Sequence, residues 1–191
     1  MEKKPRWNRA AVLTVAGELA DHAGLGALTL TSLAQTLGLR PPSLFNHVES
    51  LADLIRGLAL VALEELATRI ENAVTVPGTP EVALTAMMEA YRNYVREHPG
   101  LYAATLAFPA TQTTRDPEWA LLDRRIMDTG LGLAGKFGLQ GAEGIHALRG
   151  WRAFAHGFSD LERQRGFGIP LDTDDSYRRG VQALTPPPKG G

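Results

Sequence analysis

Arg40, Ser43, Phe45, Asn46 and His47 lie within a span of eight residues, and four of the five side chains can donate hydrogen bonds. Guanidinium, hydroxyl, amide and imidazole groups on one short helix suit contacts to phosphates and base edges in a DNA major groove. No covalent chemistry has comparable support. The chain has no cysteine, which removes disulfides, thiolate metal sites and cysteine nucleophiles. Ser43 and Ser159 lack the flanking glycines of a nucleophile elbow. His22, His47, His98, His146 and His156 form no pair with the spacing of a metalloprotease site. Gly24-Leu25-Gly26 has neither a preceding strand nor a following Lys-Ser or Lys-Thr, so it stops a helix and does not cradle phosphate. No acid, base or nucleophile constellation is recognisable, so no enzyme activity, metal or cofactor is expected.

The donor set must be held outward by helices that bury their other side. Thr29 caps the first of them, and Leu30, Leu33, Ala34 and Leu37 recur at helical spacing as its apolar stripe. Gly38 ends it, because a left-handed turn residue costs little only for glycine. Leu39 plugs the turn, and Leu44 and Val48, four apart, anchor the second helix. Upstream, a helix from about Asn8 to Ala23 buries Val12, Val15, Ala16 and Leu19 and stops at Gly24.

Taken in order, these pieces resemble the TetR-type transcriptional regulators. The resemblance covers the first helix, the G-L-x-A-L-T at Gly24 to Thr29, the L-A-x-x-L-G at Leu33 to Gly38, and the P-S-L-F-N-H-V block at Pro42 to Val48. It implies a three-helix helix-turn-helix domain in which Phe45 and His47 press on the DNA backbone and Thr29, Ser43 and Asn46 supply hydrogen bonds. Thr31 and Ser32, at a helix start that favours anions, reach phosphates, and Arg40, beside Pro41, approaches a guanine edge or a phosphate. Lys3, Lys4 and Arg6 form a basic arm that can follow the backbone or enter the minor groove.

Composition bounds the remainder. The chain has 191 residues, 44% hydrophobic content, and 20 Lys plus Arg against 21 Asp plus Glu. That is an ordinary folded protein with little overall attraction for a polyanion. No apolar run suits a bilayer and MEKKPRW leads into no signal-peptide core, so a cytoplasmic bacterial protein without membrane contact is expected.

Apolar residues three and four apart persist along the chain and no alternating strand pattern occurs, so the fold is expected to be all-α. Residues 1–50 are read as the DNA-binding domain, 51–184 as a regulatory and dimerisation domain, and 185–191, TPPPKGG, as a disordered tail. A long helix from Leu51 to about Val74 ends at the Pro77-Gly78-Thr79-Pro80 turn. Helices follow over about 81–97, 101–107, 117–137, 142–165 and 174–183, with a polar loop from Pro109 to Asp116. Residues 91–184 resemble the WHG type of TetR C-terminal domain, whose marks here are Trp151, His156 and Gly157.

That resemblance implies a ligand cavity and a dimer. Tyr91, Tyr94, Tyr102, Phe108, Trp119, Met127, Trp151 and Phe154 are the candidate pocket residues, and their aromatic load favours an apolar or aromatic effector of unknown identity. Leu148, Arg152, Ala155, His156, Ser159, Glu162 and Val181 are the candidate faces of the last two helices against a second copy. The expected function is that of a homodimeric regulator, a repressor on a palindromic double-stranded operator. A scaffold module that has lost strong DNA binding and an all-α enzyme are the alternatives.

Three departures from the family pattern bear on the phosphate grip. Leu51 stands where relatives have lysine, Glu49 adds a negative charge, and Arg40 replaces a small capping residue. Each phosphate left unneutralised lowers the salt slope by about 0.9 in log K per log salt. Leu51→Lys should therefore raise affinity for duplex DNA at moderate salt and steepen its salt dependence, measured by fluorescence anisotropy titration.

Overall fold

In a computed structural model, residues 7–108 and 115–187 are described. Among the described residues the regular structure is entirely helical, with nine α-helices, one 3₁₀ turn and no strand. They are α1 (Arg9–Ala23), α2 (Leu30–Thr36), α3 (Pro41–Leu44), α4 (Leu51–Ala73), α5 (Pro80–Glu97), α6 (Pro99–Ala107), α7 (Pro117–Lys136), α8 (Ala142–Arg163) and α9 (Thr173–Leu184). The all-α expectation holds, and the boundaries follow local chemistry. Asn8 Oδ1 accepts from Ala11 N at 2.8 Å to start α1, and Gly24 ends it at φ 84°. The expected loop from Pro109 falls largely outside the described residues, as do the last four residues of the tail.

Two compact units result, comprising Met1–Leu63 with Glu97–Ala120, and Glu64–Arg96 with Leu121–Gly191. This division differs from the expected cut after residue 50, because residues 97–120 fold with the N-terminal helices. The reason is a close approach. A Cβ on Gly100 would lie 2.0 Å from the Ala20 carbonyl carbon, so only glycine lets the start of α6 meet α1. There the Asp21 carboxylate accepts from Gly100 N at 2.8 Å and Leu101 N at 2.9 Å, and faces His98 Nδ1 at 2.9 Å. It satisfies the orphan donors of α6 from another helix, since His98 makes no side-chain cap. Within the same unit, Arg56 of α4 bonds Asp116 at 2.5 and 3.0 Å and also Glu118, while Asp116 caps α7 through Glu118 N and Trp119 N. Phe108 stacks on Trp119 with centroids 5.1 Å apart.

The second unit is built on Tyr94, Trp151, Tyr177, Leu84 and Leu133, all buried. Around the Tyr177 ring stand Phe154 at 5.2 Å and Phe158 at 5.0 Å, and its hydroxyl donates to Met88 O at 2.7 Å. Burial pushes the Tyr177 phenol pKa well up. Arg92, 5% exposed, lies 4.7 Å from the Tyr177 ring centre and 5.3 Å from that of Phe158. Its charge is met by Glu162 at 2.5 and 2.9 Å and Asp174 at 2.9 Å. Burial acts to lower its pKa, but the two carboxylates outweigh that and raise it. Trp151 donates its indole N–H to Leu184 O at 3.2 Å, closing the end of α9. Arg125 of α7 bonds Glu64 and Glu71 of α4, both at 2.7 Å.

Gly100→Ala should lower the stability of the first unit by about 2 kcal/mol or more, because the added methyl meets backbone that cannot rotate away. Urea denaturation monitored by far-ultraviolet circular dichroism checks this.

Candidate nucleic-acid interface

The reading surface starts with a reciprocal cap. Thr29 Oγ1 accepts from Ser32 N and Ser32 Oγ accepts from Thr29 N, both at 3.0 Å. This satisfies two backbone donors and fixes where α2 begins. It also occupies the Ser32 hydroxyl, which leaves Thr31 as the exposed, uncommitted hydroxyl of that first turn. Gly38 ends α2 at φ 64°, and Leu39 N donates to Ala34 O at 2.9 Å. Leu33, Ala34, Leu37, Leu44 and Val48 are buried, so α2 and α3 meet along the apolar seam that their spacing implies.

The recognition helix is shorter than expected: α3 spans only Pro41–Leu44, continued by turns through His47. Pro41 and Pro42 fill its first positions and contribute no N–H, and Arg40 makes no side-chain cap. At the other end the His47 carbonyl is taken by Arg9 Nη1 at 2.9 Å and serves no further helical turn. What faces solvent is Arg40, Pro41, Pro42, Phe45 at 54% exposure, and Asn46, with Ser43 and His47 half-buried beside them. Thr29 is exposed at the rim. Leu51 and Glu49 are exposed too. Lys3, Lys4 and Arg6 lie outside the described residues.

Arg9 and Asp53 position this surface, and no sequence motif marks them as a pair. Besides the His47 carbonyl, Arg9 holds Asp53 through a two-pronged pair at 2.8 and 2.7 Å. Asp53 Oδ2 also accepts from Glu49 N at 3.0 Å, and Asp53 N donates to Ser50 Oγ at 3.1 Å. One carboxylate therefore joins α1, the end of the recognition turn and the start of α4. The Ser50-x-x-Asp53 pattern before an apolar run is a readable capping signal. Its partner 44 residues upstream is not. The Arg9 bond holds the Asp53 carboxyl below its ordinary pKa against the opposing effect of burial, and Asp53 in turn raises Arg9.

The eight candidate pocket residues are divided between the two units. Tyr102, Phe108 and Trp119 belong to the first unit, while Tyr91, Tyr94, Trp151 and Phe154 pack in the second. Met127 is exposed. Tyr91, Tyr94, Tyr102, Phe108 and Trp151 are buried, whereas Trp119 and Phe154 are half-buried. The second unit does carry a cleft of about 290 Å³ lined by Glu71, Val74, Asp128, Thr129, Gly132, Leu133 and Lys136, none of them a predicted pocket residue.

The dimer candidates also need correction. Ala155, Ser159 and Val181 are about 1% exposed and face their own unit's core, so they offer no surface to another chain. Glu162 is engaged with Arg92, and Leu148 packs over Gly130, whose added Cβ would lie 2.4 Å from it. Arg152 remains exposed and His156 half-buried.

Residues 84–184 match the family model described as the tetracyclin repressor-like C-terminal domain. An uncharacterised helix-turn-helix-type transcriptional regulator of Mycobacterium tuberculosis is 33% identical over 178 residues, covering 93% of this chain and 79% of that one. The chain belongs to the TetR family of transcriptional regulators. Solved TetR-family structures share its fold. The regulator PfmR from Thermus thermophilus aligns with a TM-score of 0.66 and 22% identity, covering 91% of this chain and 96% of that one. A variant of Acinetobacter baumannii TetR, solved in complex with minocycline, aligns with a TM-score of 0.68 and 21% identity, covering 94% of each.

In this TetR-family head the Asp53 contribution has a definite sign. A carboxylate with a lowered folded pKa stabilises above its unfolded pKa, and the gain is lost as pH falls through the folded value. Asp53→Asn should cost about 1 kcal/mol at neutral pH, since this is a well-aligned but partly exposed pair, and should flatten the acid limb of stability. Thermal melts from pH 7 to pH 3 test both effects.

Proposed function

We propose that this TetR-family chain is a homodimeric, ligand-responsive regulator that represses transcription from a palindromic operator and is released by a small-molecule effector. The observation carrying this reading is the exposed set Arg40, Phe45 and Asn46 on a recognition turn braced from behind by Arg9 and Asp53. Arg40 suits a guanine edge and Asn46 an adenine edge, while Phe45 and the prolines offer apolar contact to a thymine methyl. Pro41 and Pro42 withhold two backbone donors, so phosphate contacts rest on Arg40, Thr29, Thr31, Ser43 and His47, with the basic arm of Lys3, Lys4 and Arg6 adding charge.

A head so sparsely charged reads only a few base pairs. Two of them about one helical turn apart, roughly 34–36 Å, read a palindrome with compounded affinity. The outward side of α8, with Ile145, Arg149, Arg152 and Ala153, takes the place of the buried candidates as the surface for the second copy.

The effector acts by preferring a conformation in which the heads do not fit the operator, and its leverage equals its differential affinity for the two states. That an Acinetobacter baumannii relative of the same fold holds minocycline supports a small organic effector. The cleft beside Gly132 is the candidate site in the second unit. The exposed Leu51 and Glu49 favour a second reading, a protein-binding module with weak DNA affinity.

Selection from a random duplex library by the purified chain at low salt separates the two. Enrichment of a palindrome with half-sites near one turn apart is the expected result. No enrichment by folded, dimeric protein would favour the protein-binding module.

A further inference from the structure

We infer that the loop joining α8 to α9 is a clasp that buries Ile169 and Leu171 against a second copy of this chain. The inference rests on the dimeric reading above and adds to it a contact outside the outward face of α8. Ile169 and Leu171 are 74% and 72% exposed, the highest values among the exposed large apolar side chains of the described residues. Phe167, two residues before Ile169, is 38% exposed, and Leu161, in the last turn of α8, is 49% exposed. Two large apolar side chains this exposed, two residues apart in one loop, are the mark of a contact region when they share a face.

The segment is built to hold that cluster in place. Gly166 N donates to Leu161 O at 2.7 Å and Arg165 N to Glu162 O at 3.0 Å, closing α8 with Arg165 at φ 56°, a backbone conformation that side-chain-bearing residues avoid. Phe167 lies 4.6 Å from the Phe158 ring, which in turn meets Tyr177, so the loop is pinned to the unit's aromatic core. Leu171 N returns to Ile169 O at 2.8 Å across Pro170, and Asp172 caps α9 through Asp174 N at 2.8 Å. These devices secure the loop, yet the two apolar side chains at its tip gain little cover from their own chain.

Charge points to the occupant. Arg165 precedes the apolar tip and Asp172 follows it, both exposed and of opposite sign. In a two-fold interface each residue meets its counterpart reciprocally, so Arg165 of each copy can face Asp172 of the other. A nucleic acid or an anionic membrane would complement only the cation. Four partly exposed side chains supply less than the roughly 800 Å² per partner of a stable interface, so the clasp extends a dimer and does not create one.

The test is sedimentation equilibrium of the full chain and of Ile169→Asp/Leu171→Asp across a concentration series. The dimer dissociation constant should rise at least tenfold with helical content unchanged. An unchanged constant overturns the clasp and leaves the dimeric reading standing, whereas a wild type that is monomeric throughout overturns that reading itself. Should the variant fail to fold, hydrogen exchange of the wild type decides. Amides of 167–169 and 171 should be more protected above the dimer dissociation constant than below it, and equal protection refutes the clasp.

Discussion

The Arg9 guanidinium bonds the carbonyl that ends the recognition turn and the carboxylate that begins α4. A four-residue helix opened by two prolines has too few internal hydrogen bonds to hold its own orientation. Its direction is imposed from outside, by the Leu44 and Val48 seam on one side and by Arg9 on the other. The side chains of the ion pair are 41% and 21% exposed, so its attraction is screened by water and its main role is geometric. Asp21 repeats the device at α6, where a carboxylate from α1 completes the start of another helix. The first unit is thus organised by charged groups of α1 that satisfy backbone elsewhere.

The second unit uses charge differently. Arg92 is buried between two aromatic rings and two carboxylates, and such a group is tolerated only when all its partners are in place. Glu162 comes from α8 and Asp174 from α9, so the arginine on α5 ties both later helices to one register. Gly180 adds a steric condition, since a Cβ there would lie 2.2 Å from the Phe154 ring. Packing, aromatic stacking and ion pairing converge on a single arrangement of these three helices.

Features that depend on neighbours in the chain were legible in the sequence. Asn8, Gly24, Thr29 and Gly38 act within three or four residues, and each bounds the helix that its chemistry implies. Helix periods over residues 51–74, 81–97 and 142–165 were legible for the same reason. The partner of each stripe was not. A spacing of three and four marks Ala155, Ser159 and Val181 as buried, but the period is the same whether the covering surface is the chain's own core or a second copy. The eight aromatic and methionine candidates show a similar ambiguity, because a ring that lines a cavity and one that fills a core occupy the same helical positions. Arg9 with Asp53, and Gly100 against Ala20, join residues too far apart in sequence for any local pattern to register. The exposure of Arg40, Phe45 and Asn46 was legible because on a short helix it follows from the buried Leu44 and Val48 seam opposite.

The placement of the tryptophans gives each unit its own optical reporter. Of the three in the chain, Trp7 and Trp119 fall in the first unit and Trp151 in the second. Trp119 lies against a phenylalanine ring, whereas the Trp151 indole is buried with its N–H committed to the last carbonyl of α9. Emission from Trp151 therefore depends on the docking of α9, and emission from Trp119 on the packing of the segment next to the DNA-binding helices. Events in the two units thus act on different tryptophans.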